Sequence, residues 1–139
     1  MKIDIKKLDV AATIPMTTTI GAAGADLTAL ASHNLAPNST ILVKTGLAMS
    51  IPEGYVGMVC SRSGLALKHS IFVLNAPGIV DSDYRGDVGV ILHNSSLFTF
   101  RINAGDRIAQ LLLVPALPME FNEVKELTDT HRGAKGFGS

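Results

Sequence analysis

A chain of 139 residues, 47% hydrophobic and 17% charged, can bury one real core and is too short for several. Twelve basic and twelve acidic side chains cancel, which argues against broad electrostatic binding to nucleic acid or an anionic membrane. The apolar excess suggests surface buried between subunits, no stretch is long enough to span a bilayer, and the lone Cys60 leaves no disulfide framework and no cysteine-based metal site.

The start, Met1-Lys-Ile-Asp-Ile-Lys-Lys7, alternates charge and apolarity like an edge strand and is unlike a signal peptide, so a cytoplasmic protein is expected. Strand-like runs then follow at short intervals, separated by Gly, Pro, Asn and Ser. With Ile3–Ile5 they are Asp26–Ala29, Thr40–Val43, Gly46–Met49, Gly57–Cys60, Ile71–Leu74, Val88–Leu92, Phe98–Ile102 and Ile108–Val114. That spacing predicts an all-β sandwich or barrel. The one short helix candidate is Ser63–His69, with Ser61 or Ser63 as N-cap. One domain is expected over residues 1–131, followed by a mobile, glycine-rich tail over 132–139.

Ahead of the tail, four segments carry chemistry. Asn75-Ala-Pro-Gly-Ile-Val-Asp-Ser-Asp-Tyr-Arg-Gly-Asp-Val-Gly89 lies between two apolar runs and reads as a hairpin with a Gly/Pro-punctuated centre. Its open side would show backbone N–H and C=O groups beside Asp81 and Tyr84, a combination suited to a base and its sugar. Arg62-Ser63-Gly64 supplies a forked donor, a hydroxyl and free amides at a helix start, which suits a phosphate; an ordinary capped turn is the bland reading. Asp26 is either a turn residue or a carboxylate holding a water of hydrated Mg²⁺. Gln110 is polar within an apolar run and needs a partner, either a substrate oxygen or a neighbouring backbone group.

The tail, Arg132-Gly-Ala-Lys-Gly-Phe-Gly-Ser139, offers positive charge and glycines for an anion-binding nest, and Phe137 for stacking on a base. Staying disordered is its bland reading. The histidines are scattered, and no nucleophile elbow or P-loop pattern is present, so nucleophilic catalysis is not expected.

In order along the chain, Ala23-Gly-Ala-Asp-Leu27, Arg62-Ser-Gly64, Gly78-Ile-Val-Asp-Ser-Asp-Tyr-Arg-Gly86, Gly105-Asp-Arg-Ile-Ala-Gln110 and the Arg132–Ser139 tail resemble the five motifs of the trimeric dUTPases (dUTP diphosphatases), in their bacterial form. The resemblance implies a jelly-roll-like β-barrel and a homotrimer with active sites shared between subunits. It implies Mg²⁺-assisted hydrolysis of dUTP to dUMP and pyrophosphate, which keeps uracil out of DNA and supplies dUMP for thymidylate synthesis. In that comparison Asp81 activates the water, and Tyr84 packs under the deoxyribose. Asn75, Gly78, Ile79, Val80 and Gly89 read uracil. Arg62, Ser63, Gly64 and Gln110 hold phosphate oxygens, and Asp26 binds a metal-coordinated water. Arg132, Gly138 and Ser139 close over the γ-phosphate, with Phe137 above the base. The family's last motif usually continues through a Thr-Gly pair, so either the sequence is trimmed after Ser139 or the tail makes fewer γ-phosphate contacts. Two other readings stay open: a dCTP deaminase, which needs a Glu that the 62–87 region lacks, and a non-catalytic β-barrel binding module.

Overall fold

Alternation decides the strands. Along Gly89–Asn94, Val90, Leu92 and Asn94 point into the core while Gly89, Ile91 and His93 face outward, the period-two pattern of a strand with one buried face. The computed structural model describes residues 1–138 and contains eleven strands and one helix. The strands are β1 (Asp4–Lys7), β2 (Ala25–Thr28), β3 (His33–Leu35), β4 (Ser39–Lys44), β5 (Leu47–Ser50), β6 (Tyr55–Cys60), β7 (Ile71–Val73), β8 (Gly78–Val80), β9 (Gly89–Asn94), β10 (Phe100–Ile102) and β11 (Arg107–Pro115). The helix, α1, spans Ser63–His69.

Four small antiparallel sheets close round one core: β1-β5, β10-β3, β2-β11-β6-β8 and β4-β9-β7. Residues from nearly every strand meet there, among them Leu27, Leu35, Val43, Ile71, Leu92, Ile102 and Ile108, each at most 2% exposed. Burying one such side chain stabilises the fold by about 1.5–3 kcal/mol.

All nine expected strands form, with ends shifted by a few residues. β3 and β8 were not foreseen. Each has three residues, too few to show a period. The expected hairpin exists in a wider form: β7 pairs with β9, Ile71 opposite Asn94 and Val73 opposite Leu92, but its centre folds away to make β8 on the neighbouring sheet. The helix has the expected bounds and a different cap. Arg62 holds the N-cap position with no side-chain cap bond, and the Ser61 hydroxyl accepts the Val73 N–H at 2.9 Å. Ser70, in the left-handed conformation, ends the helix. No helix among the described residues is long and apolar enough to cross a membrane.

Asn94 is fully buried and holds three segments together. Its Nδ2 donates to the carbonyls of Leu35 (2.9 Å) and Phe98 (2.8 Å), and its Oδ1 accepts the Ser96 N–H (2.9 Å). Asn94→Ala leaves the buried Leu35 carbonyl without this donor and the half-buried Ser96 N–H without its acceptor, while the Phe98 carbonyl keeps the Ser96 hydroxyl at 3.0 Å. A loss of about 2 kcal/mol is expected, read from urea denaturation midpoints.

Candidate active site

One cluster forms where β2, β11 and β6 lie side by side. Asp26 pairs across from Gln110, and Gln110 pairs across from Cys60, so one ladder rung leads directly to Ser61 and Arg62. Arg62 Nε donates to Asp26 Oδ1 at 2.9 Å, and Arg107 reaches Asp26 Oδ2 at 3.4 Å. Arg62 Nη1 also donates to the Arg107 carbonyl at 3.2 Å. A shift in register between Arg107 and Ala109 makes this possible. By strict alternation Arg107 and Gln110 would face opposite sides; the bulge resets the parity and leaves Arg107 beside Asp26.

Gln110 Nε2 donates to the Ser61 carbonyl at 2.9 Å, so a neighbouring backbone group is its partner, and its second amide hydrogen remains for another acceptor. Gly24 is needed at this point, because a Cβ there would come within 3.0 Å of Gln110 Oε1. Ser63 and Gly64 start α1 and are exposed. A Cβ on Gly64 would meet nothing within 4 Å, so the fold itself has no use for glycine there.

A second cluster surrounds β8, which pairs with β6 on one side and is the edge strand of its sheet. Its other edge therefore presents backbone N–H and C=O groups without ladder partners. Asn75 stands at one end, with its Nδ2 3.2 Å from where a Cβ on Gly78 would sit. The Ala76–Pro77 peptide between them is cis. At the other end the chain turns sharply, with the Tyr84 N–H donating to the Asp81 carbonyl at 3.2 Å. Asp81 is exposed and Tyr84 is 45% exposed. The Tyr84 hydroxyl donates to the Asp87 carbonyl at 3.0 Å, which lays the ring across Gly86. Gly89, at the start of β9, also has a packing role: a Cβ there would lie 2.6 Å from Leu42 Cδ1.

The two clusters stand apart. Continuing the β6-β8 register beyond Gly57 opposite Val80 places Asp81 level with Val56, four residues from Cys60. Four residues at about 3.3 Å and three strand spacings at about 4.8 Å put Asp81 on the order of 20 Å from Asp26. Each lines its own opening. Asp81 borders a cleft of ≈ 600 Å³ with Glu53, Tyr55 and Leu117, while Asp26 and Arg107 border one of ≈ 350 Å³ with Thr13 and Thr28.

In the tail, Arg132 Nε donates to the Lys135 carbonyl at 2.8 Å, and the Gly133 N–H donates to Thr130 Oγ1 at 3.0 Å. Phe137 is fully exposed. Ser139 lies outside the described residues. Sequence reasoning missed Arg107, although it lies within a quoted motif, because its neighbour across the sheet depends on the bulge.

No group of three or more His, Cys, Asp or Glu side chains among the described residues could hold a metal ion. Both Asp26 oxygens already accept from arginines, and each keeps a lone pair for a water. This chemistry fits an ion brought by a polyphosphate and touched through water. It does not fit a protein-built cage.

The family model for dUTPase matches residues 11–139. The chain belongs to the dUTPase family. It is 51% identical over 139 residues to the deoxyuridine 5'-triphosphate nucleotidohydrolase of Wolinella succinogenes, covering 100% of this chain and 93% of that one. Among solved structures it is similar to a mutant of Staphylococcus bacteriophage 80alpha dUTPase with dUpNHpp, at TM-score 0.92 and 30% identity, over 99% of this chain and 96% of that one. It is also similar to a mutant dUTPase from phage phi11 of S. aureus, described with a structural Mg(II) ion, at TM-score 0.87 and 28% identity, over 93% and 100% of the two chains. The jelly-roll-like barrel expected from the five motifs is the fold of these neighbours.

A side chain on Gly86 would force Tyr84 off its seat, since a Cβ there would fall 2.6 Å from the ring's Cζ. In a crystal structure of Gly86→Ala the Tyr84 hydroxyl is expected beyond 3.5 Å from the Asp87 carbonyl, the outer limit of a hydrogen bond.

Proposed function

We propose that this chain hydrolyses dUTP to dUMP and pyrophosphate. The supporting observation is β8, an edge strand with free backbone groups between Asn75 at one end and Asp81 and Tyr84 at the other. A pyrimidine is flat and carries donors and acceptors along one edge. The outer edge of β8, with Asn75 and the backbone near Gly89, takes the place of a pairing partner for uracil. Cytosine presents a donor where uracil presents an acceptor, so groups fixed by the ladder would be left unpaired against it. Misfits of that kind give on the order of 10⁴-fold selectivity.

Below the base, Tyr84 lies flat against the deoxyribose. Asp81 takes a proton from a water that attacks the α-phosphorus in line, and the bond to the β-phosphate oxygen breaks to release pyrophosphate. Arg62, Ser63, Gly64 and Gln110 hold phosphate oxygens. Asp26 holds Arg62 in place and accepts from a water of Mg²⁺. The ion, held mainly by the triphosphate, neutralises phosphate charge when bound. Arg132 and the amides near Gly138 and Ser139 close the site, with Phe137 over the base.

Asp81 and Asp26, on the order of 20 Å apart by the strand spacings, would not meet on one triphosphate within a single chain. A homotrimer with sites shared between subunits resolves this. The exposed apolar side chains after β11 support it: Leu117 (85%), Met119 (79%), Phe121 (87%) and Leu127 (87%) have no cover within the chain. The lone cysteine, which leaves no disulfide framework, supports a cytoplasmic location.

The deciding experiment is pyrophosphate release from dUTP, UTP, dTTP and dCTP, with and without Mg²⁺. Rapid, Mg²⁺-dependent release from dUTP alone is expected; release from none of the four sinks the proposal. Asp81→Asn should lower turnover by roughly 10²–10⁴ while dUTP still binds, because a general base contributes that much. Near-normal turnover would remove Asp81 from its role. Deleting residues 132–139 should leave the oligomer intact by size-exclusion chromatography and slow hydrolysis strongly. An unchanged rate would make the tail a spectator.

A further inference from the structure

The loop carrying Asp81 and Tyr84 returns to the core at Asp87, where it is tied to a turn far away in sequence. Asp87 Oδ1 accepts the Gly46 N–H at 3.0 Å and lies 3.4 Å from Thr45 Oγ1. Thr45 is 1% exposed, one of two buried polar residues among those described. Its hydroxyl donates to the Val88 carbonyl at 2.7 Å and accepts the Leu47 N–H at 3.3 Å, while the Val88 N–H donates to the Leu47 carbonyl at 2.8 Å. The Asp87 carbonyl is also the acceptor of the Tyr84 hydroxyl. The ring therefore hangs from a residue fixed on both sides by the Thr45–Leu47 turn.

We propose that Thr45 and Asp87 are positioning residues for Tyr84, and that this clamp sets discrimination between a 2′-deoxyribose and a ribose. The inference rests on the dUTP reading of the site and deepens it. dUTP and UTP differ by one hydroxyl. A ring pressed against C2′ leaves no room for that oxygen and offers it no hydrogen-bond partner. Such exclusion works only while the ring stays put. Terminal torsions of aromatic side chains lie in broad wells, so a ring without its hydroxyl tether swings aside easily. The tether holds only if Asp87 does, and Asp87 is held through Gly46 and the buried Thr45 hydroxyl. Neither residue needs to touch the nucleotide.

The test is the ratio of kcat/KM for dUTP to that for UTP, with Tm measured alongside. The two substrates share base and phosphates, so a general loss of stability lowers both rates and leaves the ratio alone. Thr45→Val and Asp87→Ala should each lower the ratio about tenfold, the scale of a steric contact. Tyr84→Phe, which removes only the tether, should do the same. Thr45→Ser and Asp87→Asn retain a hydroxyl and an acceptor oxygen, and should restore the parent ratio. Asp87→Ala, at a half-buried position, serves if Thr45→Val does not fold. An unchanged ratio in folded Asp87→Ala overturns the clamp and leaves dUTP hydrolysis standing. A parent protein that does not hydrolyse dUTP overturns both.

Discussion

The pairing of β6 with β11 on one side and β8 on the other fixes where each of the two polar clusters stands in the chain. Gly57 and Val59 point into the core from β6, so its register cannot slip by one residue without turning that face to solvent. With β6 held, Gln110 must stand opposite Cys60 and Gly78 opposite Val59. Residues scattered over more than eighty positions of sequence thereby acquire fixed spacings from one hydrogen-bonded strand. The core supplies the rigidity, and the ladder converts it into placement of the polar groups.

The chemistry proposed for this framework asks for little charge from the protein. Phosphoanhydride hydrolysis depends on orientation and charge neutralisation more than on covalent help. In that reading the substrate brings most of the charge and its own counter-ion, which suits a chain of zero net charge. Asp26 illustrates the economy: one carboxylate orients two guanidinium groups, and the Arg62 guanidinium also accounts for the Arg107 carbonyl.

Much of this was legible in the sequence, and the limits have physical causes. Apolar runs such as those of β9 and β11 declare themselves in the sequence, and along β9 burial repeats every second residue. β3 and β8 are too short to repeat, and β8 exists only because β6 is there to pair with it. Ser61 was expected as a possible helix cap and instead accepts from Val73, a contact twelve residues away. Arg107 could not be placed beside Asp26 from sequence, because a bulge reverses the side it faces. The identities of Arg62, Asp81, Tyr84 and Gln110 stood out through the five motifs, while the turn at Thr45–Leu47 that braces the loop belongs to none of them.

The distance between the two corners of the β2-β11-β6-β8 sheet has a genetic corollary under the trimeric reading. A copy damaged at Arg62 still lends a sound Asp81 to its neighbour, and a copy damaged at Asp81 lends a sound Arg62. Blending two such individually dead proteins would regenerate some whole pockets, so complementation between alleles becomes a property of the sheet's geometry.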